Sequence, residues 1–309
     1  MSQLSYQRGL LLISHKWYDF QGVKMLKNTF LHIPGLGMKP GQRIWSSGIH
    51  SWDDLLRGAL THFSQKKTDF LKRGIEESLE HLSSNNPFYF RERLPSNQSW
   101  RIFPEFREST AYLDIETTGL DAWNNQITTI ALYDGKSIFT YVQGQNFGQF
   151  KGDIQNYKVI VTYNGKCFDV PFIESNLGIQ PNQVHIDLRY LLRSLGYTGG
   201  LKACEKKAGI ERGELEGVDG YFAVLLWEDY QRNKNRKTLE TLLAYNIQDV
   251  VNLEILMVLS YNLKLKNTPF AQSHQITSPS QPQISFEADK GIIEGIKALI
   301  WGYDIKSIS

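Results

Sequence analysis

The sequence predicts an α/β domain preceded by a smaller helical segment, and three observations lead there. Residues Thr110–Leu120 read as a buried strand that carries Asp114 and Glu116 on one face and breaks at Thr117-Thr118-Gly119. Asp134-Gly135 stands between two alternating apolar runs, Gln126–Tyr133 and Ser137–Val142, which is a hairpin signal. Helical stretches then follow strands, with an apolar strand at Val159–Tyr163 and a long helix from about Lys237 to Leu263. Residues 28–84 carry helix and turn signals only.

The chain of 309 residues is long enough for a sizeable core and two domains. Hydrophobic residues at 41% and charged residues at 21% exclude a disordered or fibrous chain. No run of consecutive apolar residues approaches the length of a membrane span, and the N-terminus, despite Leu10-Leu11-Leu12-Ile13, lacks the pattern of a secretory signal. Cys167 and Cys204 are the two cysteines, so neither a zinc site nor a disulfide framework is expected, and a cytoplasmic location fits. The net charge of +2 hides an asymmetry: residues 1–60 hold seven Lys/Arg against three acids. A basic front end ahead of a slightly acidic body points to phosphate.

At that front end, Phe30-Leu31-His32-Ile33-Pro34-Gly35-Leu36-Gly37-Met38-Lys39 predicts a tight turn between two short helices. Ser51 suits a helix N-cap, with Asp53 and Asp54 in the first turn. The pattern resembles the helix-hairpin-helix module, in which such a hairpin offers backbone N–H groups to a nucleic-acid phosphate. Gly35 and Gly37 would allow close approach, and Lys39 and Arg43 would add charge. An ordinary helix–turn–helix packing unit is the alternative reading of the same residues. Residues 64–84 are expected to be helical, with Phe70, Leu71, Ile75, Leu79 and Leu82 on one side. Residues 85–109 are rich in aromatics and read as a packed connector.

Within the α/β part, Asp114 and Glu116 point to the same side because strand side chains alternate, while Leu113 and Ile115 point to the other. Two like charges side by side on an apolar strand repel and lose hydration, and a hard divalent cation relieves both costs. Two solvated acids at a strand end are the plainer reading. After Val159–Tyr163 the chain turns at Asn164-Gly165 and enters a helix, for which Asp169 is a fair N-cap with Pro171 in the first turn. Capping leaves Asn164 and Phe168 unexplained. Asp187 is expected to cap a helix through about Leu195, and Gly199-Gly200-Leu201 to open one through about Ala208. In the long helix, Tyr245 and Asp249 are four apart and share a face. Beyond 264, residues 267–285 read as a flexible linker, and Ala288–Gly302 as a short amphipathic helix that either docks on the body or binds a protein partner.

Three motifs therefore stand in order: Asp114-x-Glu116 on a strand, Asn164-x-x-x-Phe168-Asp169 at a strand-to-helix turn, and Tyr245-x-x-x-Asp249 on a helix. The set resembles the DnaQ-like, or DEDD, 3′→5′ exonucleases, in the tyrosine-containing DEDDy branch, over about 108–263. The Pro-Gly hairpin and His185-Ile186-Asp187-Leu188 resemble the YprB-like subgroup. The resemblance implies a ribonuclease-H-like fold, a mixed sheet flanked by helices. It implies that Asp114, Glu116, Asp169 and Asp249 hold two Mg²⁺ or Mn²⁺ ions, and that Tyr245 orients the attacking water. It further implies that Thr117, Thr118 and Leu120 line the terminal nucleotide, with Asn164 and Phe168 beside it.

The expected organisation is a hairpin module (1–62), a helical connector (63–107), an exonuclease domain (108–265) and a linker with a terminal helix (266–309). The expected activity is metal-dependent 3′→5′ hydrolysis of single-stranded DNA, in repair or processing, with no membrane involved. RNA trimming by the same chemistry, and a nucleic-acid-binding scaffold with an idle site, are the alternatives. Removal of residues 1–60 is expected to weaken substrate binding more than chemistry.

Overall fold

The structure, a computed structural model, describes residues 25–58 and 63–306, with side chains through residue 300. Arg8, Lys16, Lys24, the Leu10–Ile13 run and Trp301 lie outside the described residues or side chains.

The turn at Pro34-Gly35 forms as the sequence demands, with Gly35 at a left-handed φ of 79°. It lies between a single 3₁₀ turn, Leu26–Asn28, and helix α1 (Met38–Ser46). The apolar residues of the hairpin, Leu31, Ile33 and Leu36, are buried, while Gly35, Gly37, Lys39 and Arg43 remain exposed. Ser51 caps helix α2 (Trp52–Leu56) in a full capping box with Asp54. Helices α3 (Gln65–Ser83), α4 (Pro87–Arg93) and α5 (Phe103–Phe106) complete this helical part. The aromatics of the connector are core residues: Phe90, Trp100, Phe103 and Phe106 are all buried.

The sheet has five strands among the described residues: β1 (Thr110–Thr117), β2 (Ile127–Tyr133), β3 (Ile138–Val142), β4 (Val159–Thr162) and β5 (Val184–Asp187). Their order is β3-β2-β1-β4-β5, so the acid-bearing strand is central. β1 pairs antiparallel with β2 and parallel with β4, and β5 continues the parallel half. The Asp134-Gly135 turn closes the hairpin of β2 and β3, with the Asp134 carboxylate accepting the N–H groups of Lys136 and Ser137.

Helices cover both faces. On one side, α6 (Phe147–Asp153) and α7 (Asp169–Leu177) bury Phe150, Phe172 and Ile173 against Leu113, Ile115 and Ile160. On the other lie α8 (Leu188–Arg193), α9 (Leu201–Ala208), α10 (Gly220–Asn233) and α11 (Arg236–Leu265). Val250, Leu253, Leu256 and Met257 of α11 share a core with Tyr112 and with the N-terminal Phe30, Trp52 and Phe90. α11 reaches the length and mean hydropathy (1.4) of a membrane span, which consecutive-run reading missed because polar residues interrupt it; 83% of its most apolar window is buried, and it is a core helix.

Residues 267–285, read from sequence as a flexible linker, hold neither helix nor strand. They are fastened to the body by Phe270 against Trp45, His274 against Asn28 and Ile276 against Asn262. Helix α12 (Lys290–Lys306) then docks on α10 and α11 through Ile293 and Ile296, with Lys237 paired to Asp289 at 3.0 Å.

Candidate active site

The central strand delivers two acids to the face covered by α11. Alternation places Asp114 and Glu116 there, and a bulge between Glu116 and Thr117 ends the regular register directly after the second acid. Bulges of this kind re-aim side chains at functional edges. From α11, Asp249 meets them: carboxylate oxygens of Asp114, Glu116 and Asp249 all lie within 4.8 Å of one another. Tyr245, one helical turn earlier on the same face, is buried beside the three acids.

Asn246 fixes the arrangement. Its amide nitrogen donates to Asp114 Oδ2 at 2.7 Å, and its carbonyl oxygen accepts from Thr129 Oγ1 at 3.1 Å. The side chain is fully buried, so both ends of the amide need such partners.

Electrostatically the cluster is under load. Burial, then the charges of Asp249, Glu116 and Asp169, push the Asp114 carboxyl well above the carboxylate range. Glu116 is raised in the same way, by burial and Asp249. Burial, then the charges of Asp249, Glu116 and Asp114, raise the Tyr245 phenol, so it stays protonated. Among the described residues, Asp249 is the member of the cluster that forms ion pairs. Arg212 Nη2 donates to Asp249 Oδ1 at 2.6 Å, and Lys202 Nζ donates to the same oxygen. Arg212 also grips both oxygens of Glu205 at 2.9 Å, and Asn252 donates to Glu205 Oε1 at 2.8 Å. Burial opposes the charge of Arg212, but Asp249 and Glu205 outweigh it and raise its pKa. Both Lys202 and Arg212 also lie against the Tyr245 ring, 4.6 and 5.4 Å from its centroid.

The fourth expected acid, Asp169, stands at the margin of this cluster. It is the first residue of α7, and Phe168, with no side-chain capping bond, occupies the cap position where the sequence reading put Asp169. Asp169 is buried, and burial pushes its pKa up to about 7, opposed by backbone N–H groups, its own first and then that of Ile115 in β1. The Asp169 charge reaches Asp114.

Asn164 sits in the left-handed region, with φ of 67°, at the turn after β4. Its N–H donates to Asp187 Oδ1 at 2.8 Å, and its side-chain oxygen accepts from Arg189 Nη1 at 2.5 Å. Asp187 caps α8 as expected, donating nothing and accepting also from Lys166 and Arg189. Gly165 follows because a Cβ there would run into the Thr162 side chain. Phe168 is half-buried against Phe172, 4.9 Å between ring centroids. After β1, Thr117 Oγ1 donates to Gly119 O at 2.6 Å and Thr118 Oγ1 accepts from Gln126 N at 3.0 Å. Leu120 is 89% exposed on the loop that follows, as is Trp123 at 88%. The hairpin residues Gly35, Gly37, Lys39 and Arg43 form a separate surface in the helical part.

The donor set suits a hard divalent cation, since three clustered carboxylates supply oxygen ligands and carry more negative charge than Lys202 and Arg212 offset. Sequence reading missed Asn246 and Glu205, and took Lys202 and Arg212, with Lys206 and Lys207, either as flanking a nucleic-acid backbone or as a plain surface face; instead Lys202 and Arg212 pair with Asp249. Asn246 carried a signal, an amide inside an apolar helix stripe; Lys202 and Arg212 reach Asp249 from α9 and the loop after it, and Glu205 of α9 holds Arg212, with no local pattern to announce these contacts.

A family model described as RNase_H superfamily (RNase_H_2) matches residues 111–261. Among solved structures, the family B DNA polymerase from the hyperthermophilic archaeon Pyrobaculum calidifontis is 17% identical, with a TM-score of 0.39 over 54% of this chain and 27% of the polymerase. Brucella melitensis NrnC bound to pGG is 15% identical, with a TM-score of 0.39 over 55% of this chain and 79% of that one. A structure described as the apo form of the nuclease is 16% identical, with a TM-score of 0.38 over 55% of this chain and 78% of that one. No curated protein sequence matches the chain. The five-stranded mixed sheet, its helices on both faces and the family-model match make the α/β part a ribonuclease-H-like fold.

Proposed function

We propose that the protein is a metal-dependent 3′→5′ exonuclease of the DEDDy type that hydrolyses phosphodiester bonds of single-stranded DNA. One observation carries the reading: Asp114, Glu116 and Asp249 gather their carboxylate oxygens within 4.8 Å, beside a buried tyrosine, on a ribonuclease-H-like sheet. These acids, with Asp169 at their margin, would hold two Mg²⁺ or Mn²⁺ ions, which when bound supply charge stabilisation and a potent nucleophile. Asn246 holds Asp114 in place. Tyr245, kept neutral by burial and its acidic neighbours, positions the attacking water by hydrogen bonding. Thr117, Thr118, Leu120, Asn164 and Phe168 form the surface for the terminal nucleotide, and Gly35, Gly37, Lys39 and Arg43 take a phosphate further along the strand.

RNA trimming needs the same residues, and the two substrates separate when matched DNA and RNA strands are offered in parallel. An idle scaffold would bind strands with the usual salt dependence and cleave none. The test is Tyr245→Phe with either substrate. Because a positioned hydrogen-bonding group contributes about 10²-fold or more to such a step, kcat is expected to fall on that order while KM changes little. An unchanged kcat would remove Tyr245 from the chemistry.

A further inference from the structure

The parallel half of the sheet flanks the acid-bearing strand. β4 and β5 run parallel to β1, and their C-terminal ends open on a cavity of about 650 Å³. Its walls include Asn164, Arg189, Arg193, Tyr197 and Gly199-Gly200, and no carboxylate lines it. The volume lies within the range of small-ligand sites, about 300–1,000 Å³.

The charge of this cavity is uncompensated. Arg189 donates to the neutral side chain of Asn164, and among the described residues no acid pairs with Arg189 or Arg193. Asp187, two residues before Arg189, is occupied by the backbone N–H groups of Asn164, Lys166 and Arg189. On the opposite wall Gly200, with φ of 88°, leads into α9 without any side-chain cap, so the first amides of that helix are left open. Tyr197 adds an aromatic ring, against which Lys207 sits 4.8 Å from the centroid. Two guanidinium groups without acids, open amides and a ring are the partners of a phosphate joined to a base.

We infer that this cavity is a phosphate subsite of the nucleic-acid strand, with Arg189 and Arg193 holding the phosphate of a nucleotide next to the reacting one. The inference rests on the nuclease reading for its substrate. Position supports it: β5 is two strands from β1, about 10 Å at the usual spacing, and Asn164, at the turn after the intervening strand β4, lines the cavity. The phosphate is either internal to a long strand or the terminal 5′-phosphate of a short one, and the same arginines serve both.

The test is fluorescence anisotropy with the full chain in EDTA, where binding is read without turnover. The probes are a 5′-phosphorylated trinucleotide, its 5′-hydroxyl counterpart and a long single strand, each titrated with salt. Arg193 is exposed, so Arg193→Ala is expected to fold as wild type. Loss of one phosphate contact predicts about tenfold weaker binding and a salt slope lower by about one. Weakening confined to the 5′-phosphorylated trinucleotide assigns the cavity to a terminal phosphate; weakening on the long strand as well assigns it to an internal one. In turnover with Mn²⁺, KM should rise while kcat holds. Unchanged affinity and slope for every probe would overturn the subsite, and with Mn²⁺-dependent cleavage intact the nuclease reading would survive it. Failure of wild type to bind any probe overturns both.

Discussion

Asp249 shows how much of the chemistry rests on single side chains. One of its oxygens is shared by Lys202 and Arg212, and its carboxylate faces those of Asp114 and Glu116. Asp249→Ala is expected to abolish metal-dependent cleavage and to leave Glu205 paired with Arg212. Arg212→Met should be costlier to the fold, because it leaves Glu205 buried without its paired cation and Asp249 with Lys202 alone. Breaking such a pair costs about 3–5 kcal/mol, to be read from urea unfolding. His32 predicts a pH dependence away from the acids. Its Nε2 lies 2.8 Å from Ser78 Oγ, whose own proton goes to Gly74 O, so the ring is neutral with its proton on Nε2. Its Nδ1 is buried without a partner, and burial, then Arg93, lower its pKa to about 3. The unfolded chain takes up this proton near pH 6.5 and the folded chain does not, so its contribution is full above pH 6.5 and lost as pH falls towards about 3. The raised acids titrate in the opposite sense, so the readout is a difference. Wild type minus His32→Met should lose about 2 kcal/mol between pH 6.5 and 5, at about 1.4 kcal/mol per pH unit. A constant difference would contradict a neutral buried His32.

At the scale of elements, α11 is the organiser. It lays an apolar side on the sheet and on the N-terminal helices, and it presents Tyr245, Asn246 and Asp249 to β1 from one stretch. Replacing Asn246 by Ala frees Asp114 while leaving the apolar contacts, and metal affinity is expected to fall about 10–100-fold, measured by Mn²⁺ titration. A smaller element gives a simpler test: the capping box of α2 predicts that Ser51→Ala costs about 1 kcal/mol in thermal or urea unfolding. Period and turn chemistry made β1, the β2–β3 hairpin, α3, α9 and the core of α11 readable in advance. The acid pair on β1 was readable for the same reason, since alternation fixes a face without any tertiary knowledge. Other features were not. α10 was not anticipated from periodicity, and its place depends on packing against α11 and α12. Arg212 reaches Asp249 across 37 positions of chain, a pairing no local rule encodes. Asp169 was read as a cap because an acid at a helix start caps by default; here Phe168 takes the cap position and Asp169 is buried as the first residue of α7.

The whole molecule joins what composition would separate. A single apolar cluster runs from Met25 and Trp52 through Phe106 to Tyr112, Val250 and Phe270, across the expected boundaries near 62, 107 and 265. Deleting residues 1–60 would therefore strip Leu26, Phe30, Trp45 and Trp52 from that core, and the loss of fold would obscure any loss of binding. The hairpin is better tested by charge reversal: Lys39→Glu with Arg43→Glu, both exposed, should weaken strand binding without moving the unfolding midpoint. Such a result would place the phosphate contacts of the helical part on the same strand that enters the acid cluster. The most direct measurement of the central claim uses 5′-labelled single-stranded DNA and RNA of one sequence. Each is incubated with Mg²⁺, Mn²⁺ or EDTA, and with wild type or Asp249→Ala. The account predicts a ladder of progressively shortened products from wild type with metal, absent with EDTA and absent with the variant. Intact strands under every metal, or an undiminished ladder from Asp249→Ala, would contradict it.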